Sequence, residues 1–185
     1  MANDFDKFID KAFKKIEKQI IFAAAIAATE IAKDVKVGIE RQAKADIDRP
    51  TRFTMNAFKV NRADKKTLTS SVEIRPLQAK YLALQIKGGT VRNKTVIIPR
   101  KKAQNSYGNL AKGKLKRLSD QGKTYKSHGL VIQKMKTKSK GIAYITDHAT
   151  YTKRFKFFER GHLTAKAVAS KHVKKAIRYA LSTAR

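Results

Sequence analysis

The sequence predicts an α+β fold, with a long N-terminal helix and a C-terminal helix packed on a mainly antiparallel β-sheet. Three observations carry this. Apolar residues recur at steps of three and four through the first 47 positions, with no Pro before Pro50. The middle of the chain holds short alternating apolar runs separated by Gly, Pro and charged turns. A second stripe of three-and-four spacing closes the chain. At 185 residues, one compact domain with an appendage is expected rather than two full domains.

Residues 4 to about 47 read as one helix, with Asp4 as its N-cap. The stripe runs through Phe5, Ile9, Ala12/Phe13, Ile16, Ile20, Ala24, Ala27, Ile31 and Val35. Gly38 is its weak point, where a kink or an early end is expected. Unbroken, the helix would span roughly 65 Å at about 1.5 Å per residue, longer than a small domain, so part of it should rest on another subunit. The run Ala23-Ala24-Ala25-Ile26-Ala27-Ala28 allows close backbone approach. Two readings of it stand side by side: a neighbouring subunit, or the chain's own sheet crossing at the alanines.

Asp48-Arg49-Pro50-Thr51 breaks the helix, because Pro50 lacks a donor and drives Arg49 out of the helical region. A strand then uses Phe53, Met55, Ala57/Phe58 and Val60. After Asp64-Lys65-Lys66 a second strand uses Leu68, Ser70, Val72 and Ile74, and the two should pair as a hairpin. A short helix over Gln78 to Ile86 ends at Gly88-Gly89, and Val96-Ile97-Ile98 is a strand closed by Pro99. Residues 100–126 hold nine Lys/Arg against one Asp, with few large apolar side chains. They read as a mobile basic loop, with room for a short helix from Leu110 to Leu118. Three further strands are expected over Gly129–Met135, Gly141–Thr146 and Tyr151–Phe158. A helix from about Thr164 to Thr183 buries Ala165, Val168/Ala169, Val173, Ala176/Ile177 and Ala180/Leu181.

Charge divides the chain. Residues 1–48 hold nine bases and nine acids, whereas residues 49–185 hold 34 bases and five acids, so the whole net charge of +29 lies after Asp48. The expected organisation is therefore a neutral helix over 1–48 and a basic body over 49–185. Such a body repels itself unless a polyanion or an acidic partner lies against it; a merely solvated basic surface is the alternative. No Cys is present, which excludes disulfides, thiolate metal sites and a cysteine nucleophile. The N-terminus has no signal-peptide pattern, and the most apolar run, Ile20–Ala28, is too short to cross a bilayer. A soluble chain with no membrane partner is expected.

Chemistry is hard to find. The acids after residue 48 are Asp64, Glu73, Asp120, Asp147 and Glu159, too scattered for a two-metal centre. Of His128, His148, His162 and His172, only His148 adjoins an acid, Asp147. Neighbours on a strand point to opposite faces, so no dyad is expected. No Gly-x-Ser-x-Gly occurs, and Lys87-Gly88-Gly89-Thr90 lacks the spacing of a phosphate-binding loop. No enzyme activity, metal or cofactor is expected. Tyr151 to Phe158 interleaves bases with aromatics, as a base-stacking surface does. Tyr151, Phe155 and Phe157 on one strand face also describe a core strand, and that reading is favoured.

Asp48-Arg49-Pro50-Thr51-Arg52-Phe53-Thr54, Ala57-Phe58-Lys59-Val60, Arg62-Ala63, Leu68-Thr69-Ser70-Ser71-Val72 and Gln78 through Gly89 together form a pattern. It resembles the minor tail protein Z, or tail-completion (head–tail joining, neck), family of long-tailed bacteriophages. The resemblance covers about residues 20–100 and is only compositional beyond Pro99. It carries no active site. It implies a virion protein, assembled in the host cytoplasm, that completes the tail so that it can join a DNA-filled head. Its implied partners are the connector, the tail terminator or the tail tube, other copies in a ring, and genomic DNA held by charge.

The expected DNA contacts are Arg100, Lys101, Lys102, Lys112, Lys114, Lys116 and Arg117. The expected subunit contacts are Phe5, Ile9, Ile16, Ala24, Ala27 and Ile31. Two other readings compete. A cellular nucleic-acid-binding protein, ribosome- or nucleoid-associated, leaves the neutral helix without a purpose. A nuclease is disfavoured by its few acids.

Overall fold

The structure, a computed structural model, describes residues 2–92 and 95–183. The fold is α+β, with a long N-terminal helix, a C-terminal helix and antiparallel strand pairing throughout. The chain forms two compact units, which cut across the boundary expected at residue 48. One is built from the chain up to Ala45, Phe53–Ala79 and the chain from Lys156. The other is built from Asp46–Arg52 and Lys80–Phe155. Among the described residues, no helix is long and apolar enough to cross a membrane.

In the first unit, helix α1 (Ala2–Asp46) runs unbroken for 45 residues. Asp4 lies in its first turn rather than at its cap, where its carboxylate still complements the helix dipole, and it pairs with Lys7 at 3.9 Å. Helix α5 (Phe157–Ser182) packs beside α1. Ala23 and Ala27 meet Ala176 and Ala180, and all four are buried. Farther along, Asp34 Oδ2 lies 2.7 Å from His172 Nε2, a pairing that nothing in the spacing foretold. Gly161 faces Val35 and Ile39. The alanine run thus serves a helix of the same chain, rather than a sheet, on this face.

Gly38 neither kinks nor ends α1. A Cβ built there would lie 2.5 Å from Thr164 Oγ1 and 3.2 Å from its Cγ2, so the glycine is where α5 comes closest. Thr164 Oγ1 is itself fixed, donating to Arg160 O at 2.9 Å.

A helical turn, α2 (Arg52–Met55), replaces the start of the expected strand. Thr54 is buried, its carbonyl accepts from Ala57 N, and Gln78 Nε2 reaches Phe53 O at 3.3 Å. The hairpin then forms as expected from β1 (Phe58–Asn61) and β2 (Ser71–Ile74), with Phe58 opposite Ile74 and Val60 opposite Val72. Leu68 belongs to the connecting loop, with φ 50 and its N–H bonded to Asp64 O. The Asp64 carboxylate accepts from Thr67 N at 2.6 Å and Lys66 N at 2.7 Å, and these bonds hold its pKa below the usual carboxylate value. Helix α3 (Pro76–Lys87) carries the chain from the first unit into the second.

The second unit pairs β3 (Gly89–Val91) with β8 (Ala149–Tyr151). Its larger sheet has the order β4-β7-β6-β5, from Val96–Pro99, Ser139–Thr146, Leu130–Lys134 and Thr124–Ser127. The strands of the chain thus fall into three sheets rather than one. His128 and Gly129 join β5 to β6 with φ of 46 and 74, the sign combination of a type I′ turn. The strand expected over Tyr151–Phe158 ends at Tyr151. Phe155 and Phe157 are buried, and α5 begins at Phe157 instead of Thr164.

The contact at Gly38 can be tested by a double-mutant cycle. Gly38→Ala should cost about 1–3 kcal/mol through overpacking, and adding Thr164→Ala should recover most of it. Denaturation followed by helical circular dichroism measures both. Stabilisation of the single variant by about 1 kcal/mol, as for an exposed helix glycine, would mean that the helices do not meet there.

Candidate nucleic-acid interface

Residues 100–126 are not one loop. A 3-10 turn (Lys101–Ala103) and helix α4 (Lys114–Asp120) lead into β5. The segment folds because its few apolar residues converge. Ala103 and Leu118 are buried with Val131 and Ile142, and Leu110, Leu115 and Ile145 pack against them. Between them, Asn105 closes a turn: its Oδ1 accepts from Tyr107 N and Asn109 N, both at 3.0 Å. Composition hid this, since five apolar side chains spread over the segment have no continuous period.

Burial of Leu118, with Leu115 packed half-buried beside it, decides where the bases go. They lie three apart on α4, which turns Lys116 and Arg117 outward, both exposed. Lys112, Lys114 and Lys116 line one shallow groove of about 350 Å³ with Ile97, Pro99 and Leu110. Lys116 and Arg117 also border the adjoining hollow with Asp120 and Gln121. Ala103 anchors the 3-10 turn and leaves Lys101 and Lys102 exposed. Arg100 follows Pro99 directly, its N–H bonded to Ile142 O at 3.0 Å and its guanidinium 5.8 Å from the Tyr144 ring centre.

The structure thus brings Lys112, Lys114, Lys116 and Arg117 together, with Arg100, Lys101 and Lys102 on the segment that leaves β4. It adds residues the sequence reading passed over. Lys140 Nζ donates to Lys102 O at 3.1 Å, and Lys134 lies 5.7 Å from the ring of Tyr125. Tyr144 and Tyr125 are both exposed, so each presents an aromatic face with a cation beside it. A tyrosine next to bases on alternating strands was the available signal. Among the described residues, none of the seven expected DNA-contact bases is held in an ion pair. Bases without an acidic partner can neutralise phosphates, which releases the counterions condensed on a nucleic acid.

Three carboxylates elsewhere, Asp48, Asp64 and Asp147, have local partners. Asp147 and His148 lie in the turn after β7, not on a strand, and this brings His148 Nδ1 to 2.7 Å from Asp147 Oδ1, against the expectation of opposite faces. That hydrogen bond holds the Asp147 pKa below the usual value. The Arg49 guanidinium does the same for Asp48, across 2.9 Å. All three depressed carboxylates are exposed and separate. Among the described residues, no three His, Asp or Glu side chains are grouped so as to hold a metal ion.

The expected subunit contacts divide. Phe5, Ile16 and Ala24 are exposed and Ile9 is half-buried. Ala27 is buried against α5, so the chain itself occupies it. Ile31 lines a groove with Val72, Phe158 and His162. Compared with family models, curated proteins and solved structures, the chain matches none.

Replacing Lys112, Lys116 and Arg117 together by Ala should flatten the dependence of log affinity on log salt by about one unit per lost phosphate contact. Fluorescence polarisation with a mixed-sequence duplex reads the slope. An unchanged slope would place the contact on another surface.

Proposed function

We propose that this chain is a non-catalytic structural subunit of a long-tailed bacteriophage, a tail-completion component of the neck that joins the tail to the DNA-filled head. The observation that carries the proposal is the partition of charge. A helix with nine bases and nine acids is joined to a remainder with 34 bases and five acids. Neutral apolar surface suits contact between like copies, and a surface this basic suits a polyanion. The ridge of Lys112, Lys114, Lys116 and Arg117 supports the second half of the argument. The resemblance over about residues 20–100 supplies the specific role.

In this reading genomic DNA is the polyanion, and the subunits border the channel it crosses. Other copies form a ring, and the connector, tail terminator or tail tube are its neighbours. The protein resides in the virion and, during assembly, in the host cytoplasm. The non-catalytic part is supported by the acids, whose depressed members answer to a guanidinium, an imidazole and two backbone amides rather than to one cavity. A cellular nucleic-acid-binding protein would use the same basic ridge but give no role to the exposed phenylalanines of α1.

Electron microscopy of a lysate from a phage with an early stop codon in this gene tests the proposal. Filled heads beside separate tails are expected. Normal infectious particles would remove the neck role and leave the cellular reading.

A further inference from the structure

The four-stranded sheet of the second unit has two unlike faces. Paired residues of an antiparallel ladder share a face, and neighbours along a strand alternate between faces. Val131, opposite Ala143, faces the core that Leu118 closes. A bulge between Val131 and Ile132 lets Ile142 join the same side. The other face then carries Ile98 and Leu130, both opposite Tyr144, and Tyr125 opposite Ile132. It is open to water: Tyr125, Tyr144 and Ile98 are 40%, 46% and 48% exposed.

Each tyrosine on this face has a cation beside it. The Arg100 guanidinium lies 5.8 Å from the Tyr144 ring centre, and Lys134 Nζ lies 5.7 Å from that of Tyr125. Gly141 makes room for the first pair. A Cβ built there would lie 2.7 Å from Arg100 Nη1, so the bare strand lets the guanidinium rest on it. By strand spacing and rise, the two tyrosines stand roughly 12 Å apart, with Leu130 and Ile132 between them. Among the described residues, strands β4 to β7 contain no Asp or Glu. The face is thus aromatic, apolar and cationic, and its own strands supply no counter-charge.

We infer that this face binds a single strand of nucleic acid, with bases stacked on Tyr125 and Tyr144 and phosphates held by Arg100 and Lys134. A duplex keeps its base faces inside, so tyrosine rings can stack only on unpaired bases. An acidic peptide would answer the cations alone. A nucleotide answers both features, because phosphate and planar base come joined. Stacking tolerates any base, so binding is independent of sequence. This surface is separate from the α4 ridge, which lies on the opposite side of the sheet with Leu118 and Val131 between. It does not rest on the neck reading.

Fluorescence polarisation of the purified full-length chain with short labelled strands tests the inference. The comparison strand is abasic and of equal length, with the same phosphates but no bases. The wild type should prefer oligothymidylate over it roughly 100-fold, or about tenfold per stacked base. Tyr125→Ala/Tyr144→Ala should abolish that preference and leave affinity for the abasic strand and for a duplex unchanged. Circular dichroism should show the fold retained. Because the chain has six Tyr and no Trp, tyrosine emission gives a second measurement. Oligothymidylate should quench it in the wild type, whereas Tyr125→Phe/Tyr144→Phe should bind alike with most of that quenching lost. A parallel series with oligouridylate assigns the strand: tighter binding there names RNA, and tighter binding to oligothymidylate names DNA. Equal wild-type affinity for oligothymidylate and the abasic strand, or Ala variants that keep the preference, would overturn the inference. So would tighter binding to polyglutamate than to oligothymidylate, which would assign the face to an acidic protein. Normal particles from the stop-codon phage would leave all of these results standing.

Discussion

The first unit depends on two helices approaching closely without large side chains between them. Ala23 and Ala27 meet Ala176 and Ala180, and Gly38 admits Thr164 where even a methyl group would collide. Small residues gain little from burial individually, about 0.8 kcal/mol per methylene-sized group. They bring the backbones near enough for everything else. Asp34 reaches His172 only because the helices are close, and Val35 and Ile39 reach over Gly161 for the same reason. The closeness also shapes a groove along this seam: a seam walled by alanine is shallow at its floor and open to one side, leaving Ile177 and Leu181 at its edge.

The opposing constraint is electrostatic. Thirty-four bases with five acids after residue 48 make every fold of that stretch work against itself. The second unit manages this by keeping its core small and neutral and its bases outside. Ala103, Leu118, Val131 and Ile142 are buried together, and Lys112, Lys116 and Arg117 lie over them in water. At physiological salt, exposed charges separated by more than about 8 Å are largely screened, so spreading bases over a surface lowers the cost. Grouping them beside one groove raises it again. A surface that carries this cost without acidic partners is better suited to meeting an anion than to remaining bare, and this links the geometry of α4 to the proposed function.

Much of the fold was legible in the sequence, and the misses have physical reasons. Long helices announce themselves because a three-and-four stripe over many turns has no rival, so α1 and the body of α5 were visible. The β1–β2 hairpin was visible because Phe58, Val60, Val72 and Ile74 alternate on both sides of a charged turn. Short segments were ambiguous. Phe53 to Met55 fits a strand or a single helical turn equally well, and Gln78, twenty-five residues away, decides by bonding the Phe53 carbonyl. Phe155 and Phe157 were correctly read as core, but alternation over a few residues concealed that the chain leaves the sheet at Tyr151 and enters a helix. Asp147 and His148 were judged by strand geometry when they occupy a turn, where neighbouring side chains can meet. The folding of 100–126 was hidden because its apolar residues are individually sparse and find partners on β6 and β7.

The site was legible to different degrees for a related reason. A basic residue declares its charge in the sequence but not its neighbours, so seven bases could be named without knowing that Lys112, Lys114 and Lys116 share one groove. An apolar residue declares that it wants burial but not by whom. Ala27 and Phe5 belong to the same stripe, yet α5 covers Ala27 and leaves Phe5 bare. The difference between them is set by where α5 ends, a fact of tertiary structure. An apolar stripe that outruns its partner helix is therefore more informative than the stripe alone. Its covered part explains the fold, and its uncovered part is apolar surface that the fold itself leaves bare.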